Sequence, residues 1–145
     1  MRQRGQTPAL ARTRTQGVSG DYAAALFCQA FGWAIDSSAG RHHAVDKQGV
    51  RYQIRARQLT RHGHAPVIRP IRNLDKRPFD HLAVVIVDDD FGVVRAATMP
   101  IEMVLGRALH AGTDIWKLPL PAEIWTVKAV RDVTDFIGAA AMVLT

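Results

Sequence analysis

The chain has 145 residues, 48% of them hydrophobic, and a formal net charge of +6. This composition excludes a disordered chain, and the length is enough for one domain with its own core. No apolar run reaches the roughly 18 residues of a membrane-spanning helix, the start of the chain lacks the apolar region of a signal peptide, and the single Cys28 excludes an internal disulfide. We therefore expect a cytoplasmic protein without membrane contact.

The positive charge is concentrated in the middle of the sequence. Residues 1–40 carry a net +2, residues 41–77 a net +8 and residues 78–145 a net −4. An arginine-rich genome would explain the preference for Arg over Lys, but it would not explain this segregation. Because guanidinium groups match phosphate oxygens, a local basic block is typical of a polyanion partner. The charge pattern predicts a nucleic-acid partner, with DNA as the working assumption.

The first predicted elements are an arm and a helix. Residues 1–18 show no periodicity and are predicted to form a mobile, basic N-terminal arm. Residues 19–145 then form a single domain. Ser19 is a suitable N-cap for a helix from about Gly20 to Phe31, in which apolar side chains recur at helical spacing.

A hairpin follows the helix. Residues 44–46 and 50–57 are predicted strands, and Lys47, Gln48 and Gly49 form the turn between them. Residues 61–78 contain three prolines and many basic side chains, so a basic loop is predicted there.

The second half of the chain is predicted to contain alternating strands and helices. Asp88, Asp89 and Asp90 are interpreted as a solvated turn between two of the strands. The predicted elements are a buried strand at 82–87, a strand at 92–99, a helix from Pro100 to about His110, a short strand at 114–120 and a last helix, capped by Asp132 or Thr134, toward Leu144. Helices and strands in this order predict an α/β domain with a mixed β-sheet flanked by helices.

The second hairpin strand alternates strictly between apolar and polar side chains. Its apolar set must face the core, so its polar set faces a cleft or solvent. The polar set consists of Arg51, Gln53, Arg55 and Arg57. An acidic residue across the turn can approach Gln53 and Arg55, which is the layout of a phosphodiester-cleaving site with a divalent metal.

The same strand, "GVRYQIRAR" at residues 49–57, resembles the core strand of the PD-(D/E)xK, or restriction-endonuclease-like, nucleases. Together with "FDHLAVVIVD" at residues 79–88 it resembles uncharacterised bacterial proteins with a GxDAxxxxGxRYQIKxR-type strand. The resemblance implies a restriction-endonuclease-like mixed sheet. It also implies a catalytic set of Asp46, Gln53 and Arg55, and metal ligands His43, Asp46 and Gln53 for Mg²⁺ or Mn²⁺.

The sequence departs from the family pattern at several of these positions. His43 replaces the main metal-binding aspartate, Arg55 replaces a lysine, and the first helix offers no glutamate in "YAAAL". A planar guanidinium cannot copy a compact ammonium beside a nucleophilic water. We therefore expect a degenerate, inactive site, a pseudo-enzyme that binds nucleic acid; an active metal-dependent endonuclease is the alternative.

Two sets of residues are predicted to contact partners. The arginines expected to hold phosphates are Arg41, Arg51, Arg57, Arg61, Arg69 and Arg72. A second alternative is a protein-interaction subunit, scaffold or homodimer that uses the apolar C-terminal part of the chain. Its candidate residues are Ile115, Trp116, Leu118, Leu120, Ile124 and Trp125.

Overall fold

A computed structural model of the protein describes residues 12–13, 17–59 and 63–144. The strands, in chain order, are β1 (Arg12–Thr13), β2 (Gly17–Val18), β3 (Ala34–Ile35), β4 (His43–Val45), β5 (Arg51–Gln58), β6 (Val67–Arg72), β7 (His81–Val87), β8 (Val93–Pro100), β9 (Leu109–Gly112), β10 (Ile115–Pro119) and β11 (Arg131–Asp132). The helices are α1 (Gly20–Phe31), α2 (Ile101–Arg107) and α3 (Thr134–Leu144). Strands β1 and β2 pair within the segment predicted as an arm, most of which lies outside the described residues.

Helix α1 begins and ends where its sequence predicts. The Ser19 hydroxyl oxygen accepts a hydrogen bond from the backbone N–H of Tyr22 at 3.0 Å. At the other end Gly32 adopts φ 71°, and its N–H donates to the carbonyl of Cys28 at 2.8 Å. A left-handed residue at this position suits glycine, which has no Cβ to clash. The predicted N-cap and helix are confirmed.

A six-stranded mixed sheet forms the centre of the molecule, in the order β11-β8-β7-β5-β4-β3. The predicted hairpin is β4 and β5, which pair antiparallel with His43 opposite Gln53. On its other side β5 runs parallel to β7, the strand formed by "HLAVVIV", and six of the seven β7 residues are buried. The mixed α/β class and the buried central strand are confirmed.

The two faces of this sheet are covered differently. Helices α1 and α3 cover one face, where Leu26, Phe27 and Ile137 pack on Ile54 and Val85. A second, three-stranded sheet in the order β6-β10-β9 covers the other face together with α2. The domain is thus a helical layer, a mixed sheet and a small antiparallel sheet.

The second sheet corrects two sequence predictions. The basic loop predicted at 61–78 is wrong for Val67–Arg72, which forms β6, because an edge strand tolerates Pro70 without its N–H. The helix predicted to His110 ends at Arg107, since Leu109–Gly112 pairs with β10. The described residues include no helix with the length and apolar character to cross a membrane.

The second sheet also uses the apolar side chains that were predicted to form a protein interface. Leu118, Leu120 and Ile124 are buried between this sheet and the central sheet, and Trp116 and Trp125 pack against the same cluster. These side chains therefore stabilise the domain rather than cover its surface.

Candidate nucleic-acid interface

Strand β5 presents two chemically different faces. Ile54 and Ala56 are buried against the helical layer. The intervening side chains, Arg55 and Arg57, point to the opposite face and reach the outer edge of β6. The alternation in the sequence therefore predicts the side-chain directions correctly.

Both arginines bind backbone oxygens of β6. The guanidinium of Arg55 donates to the carbonyls of Pro70 at 2.7 Å and Arg69 at 3.0 Å. The guanidinium of Arg57 donates to the carbonyls of Val67 at 2.9 Å and Arg69 at 2.5 Å, and to the carbonyl of Ala56 in its own strand at 2.6 Å. Of the strands in the described residues, β10 is the one that pairs with β6, so the outer carbonyls of β6 need donors from elsewhere. The two side chains connect the edges of the two sheets.

The charges of these two guanidinium groups are poorly compensated. Burial, followed by the charge of the neighbouring Arg57, lowers the pKa of Arg55 to about 10. Burial also lowers the pKa of Arg57, with Arg69 as the second cause. Among the described residues no carboxylate contacts either guanidinium group. Carbonyl dipoles supply hydrogen-bond acceptors but no net negative charge, so an anion within reach would be attracted.

Arg55 lies between two adjoining clefts. The larger has a volume of about 490 Å³, and none of the described residues that line it is acidic. The smaller, of about 330 Å³, shares His42, Ile54 and Arg55 with it and continues along β5 to Arg57 and Gln58. We refer to the two clefts together as the arginine groove; its polar lining includes Arg41, His42, Gln53, Arg55, Arg57 and Arg72.

A histidine–glutamine pair forms part of the wall of the groove. His43 and Gln53 are opposite each other in the sheet, and their Nε2 atoms lie 3.1 Å apart. Burial lowers the pKa of His43, which favours the neutral ring at pH 7. The buried Oε1 of Gln53 has no partner among the described residues. Turning the amide over would exchange its two polar atoms, so one of them lacks a partner in either orientation.

The neighbouring histidine is fixed by the first helix. Nε2 of His42 lies 2.8 Å from a carboxylate oxygen of Asp21, and Arg41 donates to the other oxygen at 3.1 Å. These hydrogen bonds, led by that of His42, lower the pKa of Asp21. A Cβ on Gly20 would lie 2.4 Å from the His42 ring, so the close approach requires glycine here. The carboxylate of Asp21 partly offsets the charge at this end of the groove.

Asp46 lies apart from the other predicted catalytic residues. Its Oδ1 accepts hydrogen bonds from the N–H groups of Gln48 and Val50, both at 2.9 Å. Its Oδ2 accepts one from the hydroxyl of Tyr52 at 3.2 Å, on the face of β5 opposite Gln53. Burial, followed by the Asp46 charge, raises the pKa of Tyr52 to about 12. The structure thus brings His43, Gln53 and Arg55 together but places Asp46 in the hairpin turn.

The predicted metal ligands do not form a cluster in the described part of the chain. There, no group of three or more His, Cys, Asp or Glu side chains is placed to hold a metal ion. The aspartates at 88–90 form the β7–β8 turn as predicted, because Oδ1 of Asp88 accepts hydrogen bonds from the N–H groups of Asp90 and Gly92.

The arginines predicted to bind phosphate occupy different environments. Arg41 pairs with Asp21, and Arg51 pairs with Asp80 at 3.0 Å. Arg57 binds backbone carbonyls, whereas Arg69 and Arg72 are exposed on β6 and contact no carboxylate among the described residues. Arg61 lies outside the described residues.

Sequence reasoning missed two parts of the groove. Asn73 follows β6 with φ 54° and lines the larger cleft, but an asparagine in a turn carries no specific signal. The contact of Arg55 and Arg57 with β6 was also missed, because β6 itself was not predicted. The available signal for β6 in the sequence was that an edge strand tolerates a proline.

Comparison with known proteins does not assign the chain to a family, because no protein-family model and no curated protein matches it. The function therefore has to be argued from the geometry and charge of the groove.

Proposed function

We propose that the protein binds nucleic acid through the phosphate backbone, in the arginine groove, and does not cleave it. The observation that carries the proposal is the uncompensated charge of Arg55 and Arg57 beside a cleft without acidic lining. The exposed Arg69 and Arg72 extend the positive charge along β6. A phosphate suits this groove because it brings the negative charge that the arginines lack and several oxygens that accept hydrogen bonds.

The energetics favour an anion that is only partly desolvated. At a separation of 4 Å and an effective dielectric constant near 20, two unit charges attract by about 4 kcal/mol. The cost of removing water from both groups offsets part of this attraction. Because Arg55 and Arg57 are already partly desolvated by folding, a phosphate meets less of that cost at these two residues.

The position of the two sequence motifs supports kinship with the restriction-endonuclease-like fold. "GVRYQIRAR" forms β5 and "FDHLAVVIVD" forms β7, and these are neighbouring parallel strands at the centre of the sheet. We propose that the domain is a degenerate member of that superfamily. In the family pattern, His43 stands at the main metal-binding aspartate, Gln53 at the amide variant and Arg55 at the lysine, and Asp46 matches a less central acid.

Metal-dependent cleavage is not part of the proposal. Both carboxylate oxygens of Asp46 are engaged by the turn and by Tyr52, and Gln53 is paired with His43. Incubating plasmid and single-stranded DNA with Mg²⁺ or Mn²⁺ tests this point. We expect no cleavage; cleavage that disappears in Asp46→Ala would establish the endonuclease alternative.

The binding proposal is tested by fluorescence anisotropy with a labelled single-stranded oligonucleotide at low salt. The test variant is the double substitution Arg69→Gln and Arg72→Gln, because both side chains are exposed. The control is Lys128→Gln with Lys117→Gln, which removes the same charge from residues that lie on neither β5 nor β6 and do not line the groove.

We expect the arginine variant to bind about tenfold more weakly, which corresponds to about 1.4 kcal/mol. The lysine variant is expected to bind like the unmodified protein. Equal weakening by both variants would mean that only the overall charge matters and that the groove is not the site.

A further inference from the structure

Resting on the proposed function, we infer that the arginine groove recognises the phosphate chain alone, so that phosphate polymers without bases, such as inorganic polyphosphate, are also ligands. Three observations on the groove support this inference: no Phe, Tyr or Trp lines it among the described residues, the amides of Gln53 and Gln58 contact other groups of the protein, and its arginines repeat along β5 and β6.

No Phe, Tyr or Trp lines the groove among the described residues. Its two aromatic rings are the imidazoles of His42 and His43, which are held by Asp21 and Gln53. Proteins that hold single strands by their bases stack them on aromatic rings. The nearby Trp33 and Tyr52 instead stack on each other, with centroids 3.7 Å apart, and Trp33 also stacks on Phe27 and Phe31. These rings pack with the helical layer, on the face opposite to Arg55 and Arg57.

The amide groups that would read base edges are mostly engaged by the protein. The amide of Gln53 is paired with His43, and Nε2 of Gln58 donates to the carbonyl of Asp88 at 3.3 Å. The guanidinium groups of Arg55 and Arg57 use some of their N–H donors in hydrogen bonds to backbone carbonyls. A two-bond contact of Arg with guanine or of an amide with adenine needs free, aligned donors.

The arginines at the groove that have no carboxylate partner among the described residues lie on the two strands β5 and β6. Alternate residues of a strand are about 6.7 Å apart, so Arg55 and Arg57 form a line along the groove. Arg69 and Arg72 lie on the adjacent strand β6. A linear array of cations fits a linear array of phosphates whatever groups the phosphates carry.

The test is a competition experiment with the full chain and a labelled oligothymidylate. The competitors are unlabelled oligothymidylate, oligoadenylate and oligocytidylate, inorganic polyphosphate with the same number of phosphates, and polyglutamate of equal charge. We expect the three oligonucleotides and polyphosphate to compete within about threefold of one another. Polyglutamate, whose carboxylates offer fewer acceptor oxygens, should compete more weakly.

The variant of Arg69 and Arg72 should weaken binding of oligonucleotide and polyphosphate by the same factor. The inference is overturned if polyphosphate fails to displace the oligonucleotide, or if one base is preferred by about tenfold or more; either result leaves the proposed function standing. If the labelled oligonucleotide itself does not bind, the proposed function fails as well. These outcomes separate recognition of the chain from binding itself.

Discussion

Arg57 shows how one side chain serves both the fold and the proposed function. Its apolar stem passes between the two sheets, and its guanidinium satisfies carbonyls at the edge of β6. Lysine has the same charge, but its ammonium cannot span three acceptors in a plane. Arginine therefore closes the gap between the sheets and leaves a positive charge at the surface of the groove.

Replacing Arg57 by Met should destabilise the protein. Methionine keeps the apolar stem but leaves the carbonyls of Val67 and Arg69 without these donors. Hydrogen bonds to charged groups contribute about 1.5–3 kcal/mol, so we expect a loss of about 2–3 kcal/mol in the free energy of unfolding. Urea denaturation measures it, with the exposed Arg72→Gln as a control expected to unfold like the unmodified protein. Unchanged stability in Arg57→Met would show that the carbonyl contacts do not hold the sheets together.

The buried ring of His43 should make stability depend on pH. Its pKa in the folded protein is lowered from an ordinary value of 6.5, chiefly by burial. The unfolded chain therefore takes up the proton first as the pH falls. The stability contributed by the neutral ring is complete above pH 6.5 and is lost as the pH falls toward the lowered pKa.

The measurement is the free energy of unfolding at pH 7.5 and 5.5 for the unmodified protein and His43→Gln. Glutamine is neutral at both values and can still pair with Gln53. We expect a smaller decrease between the two pH values in the variant. Identical decreases would mean that His43 titrates alike in the folded and unfolded chain.

At the level of elements, the β4–β5 hairpin separates a structural carboxylate from the groove. Asp46 organises the turn through two backbone N–H groups and also binds the Tyr52 hydroxyl. Asp46→Ala should cost about 1–3 kcal/mol of stability, because these donors lose their charged acceptor. Affinity for an oligonucleotide should be unchanged at a temperature where the variant is folded. A change in affinity with unchanged stability would instead assign Asp46 to the binding site.

Local sequence signals predict some of these elements well. The capped helix α1, the alternating β5 and the buried β7 each carry a pattern set by their own residues and by burial. In the second sheet the strand predicted at 114–120 is confirmed as β10. The other two strands carry no such pattern, because β6 contains Pro70 and β9 is short and exposed. These two strands are stabilised by pairing with β10 and by packing on the central sheet, which are contacts between distant parts of the chain.

The same contrast between local sequence patterns and contacts of distant residues explains which features of the site the sequence predicts. Strand alternation predicts correctly that Gln53 and Arg55 share a face. It does not indicate what lies opposite that face, since this depends on β6. The position of Asp46 follows from the turn hydrogen bonds and from the opposite direction of Tyr52. Motif spacing alone does not contain this information.

For the molecule as a whole, the positive charge concentrated in residues 41–77 of the sequence lies mainly around the groove. The segment with a net charge of +8 contributes β4, β5 and β6, which surround the groove. Several of its arginines are neutralised locally, including Arg51 by Asp80 and Arg77 by Glu102. The charge available to a partner is thus smaller than the net charge implies, and it is concentrated beside β5 and β6.

The salt dependence of oligonucleotide binding tests whether the arginine groove binds nucleic acid through its phosphates. Four arginines at the groove have no carboxylate partner among the described residues: Arg55, Arg57, Arg69 and Arg72. Neutralising one phosphate of a single strand with each of them predicts a slope of about −3 in a plot of log K against log salt concentration. The slope should become shallower by about 0.7 in Arg72→Gln and stay the same in Lys128→Gln. A slope near zero, or no binding at low salt, would contradict the proposal that the arginine groove binds phosphates.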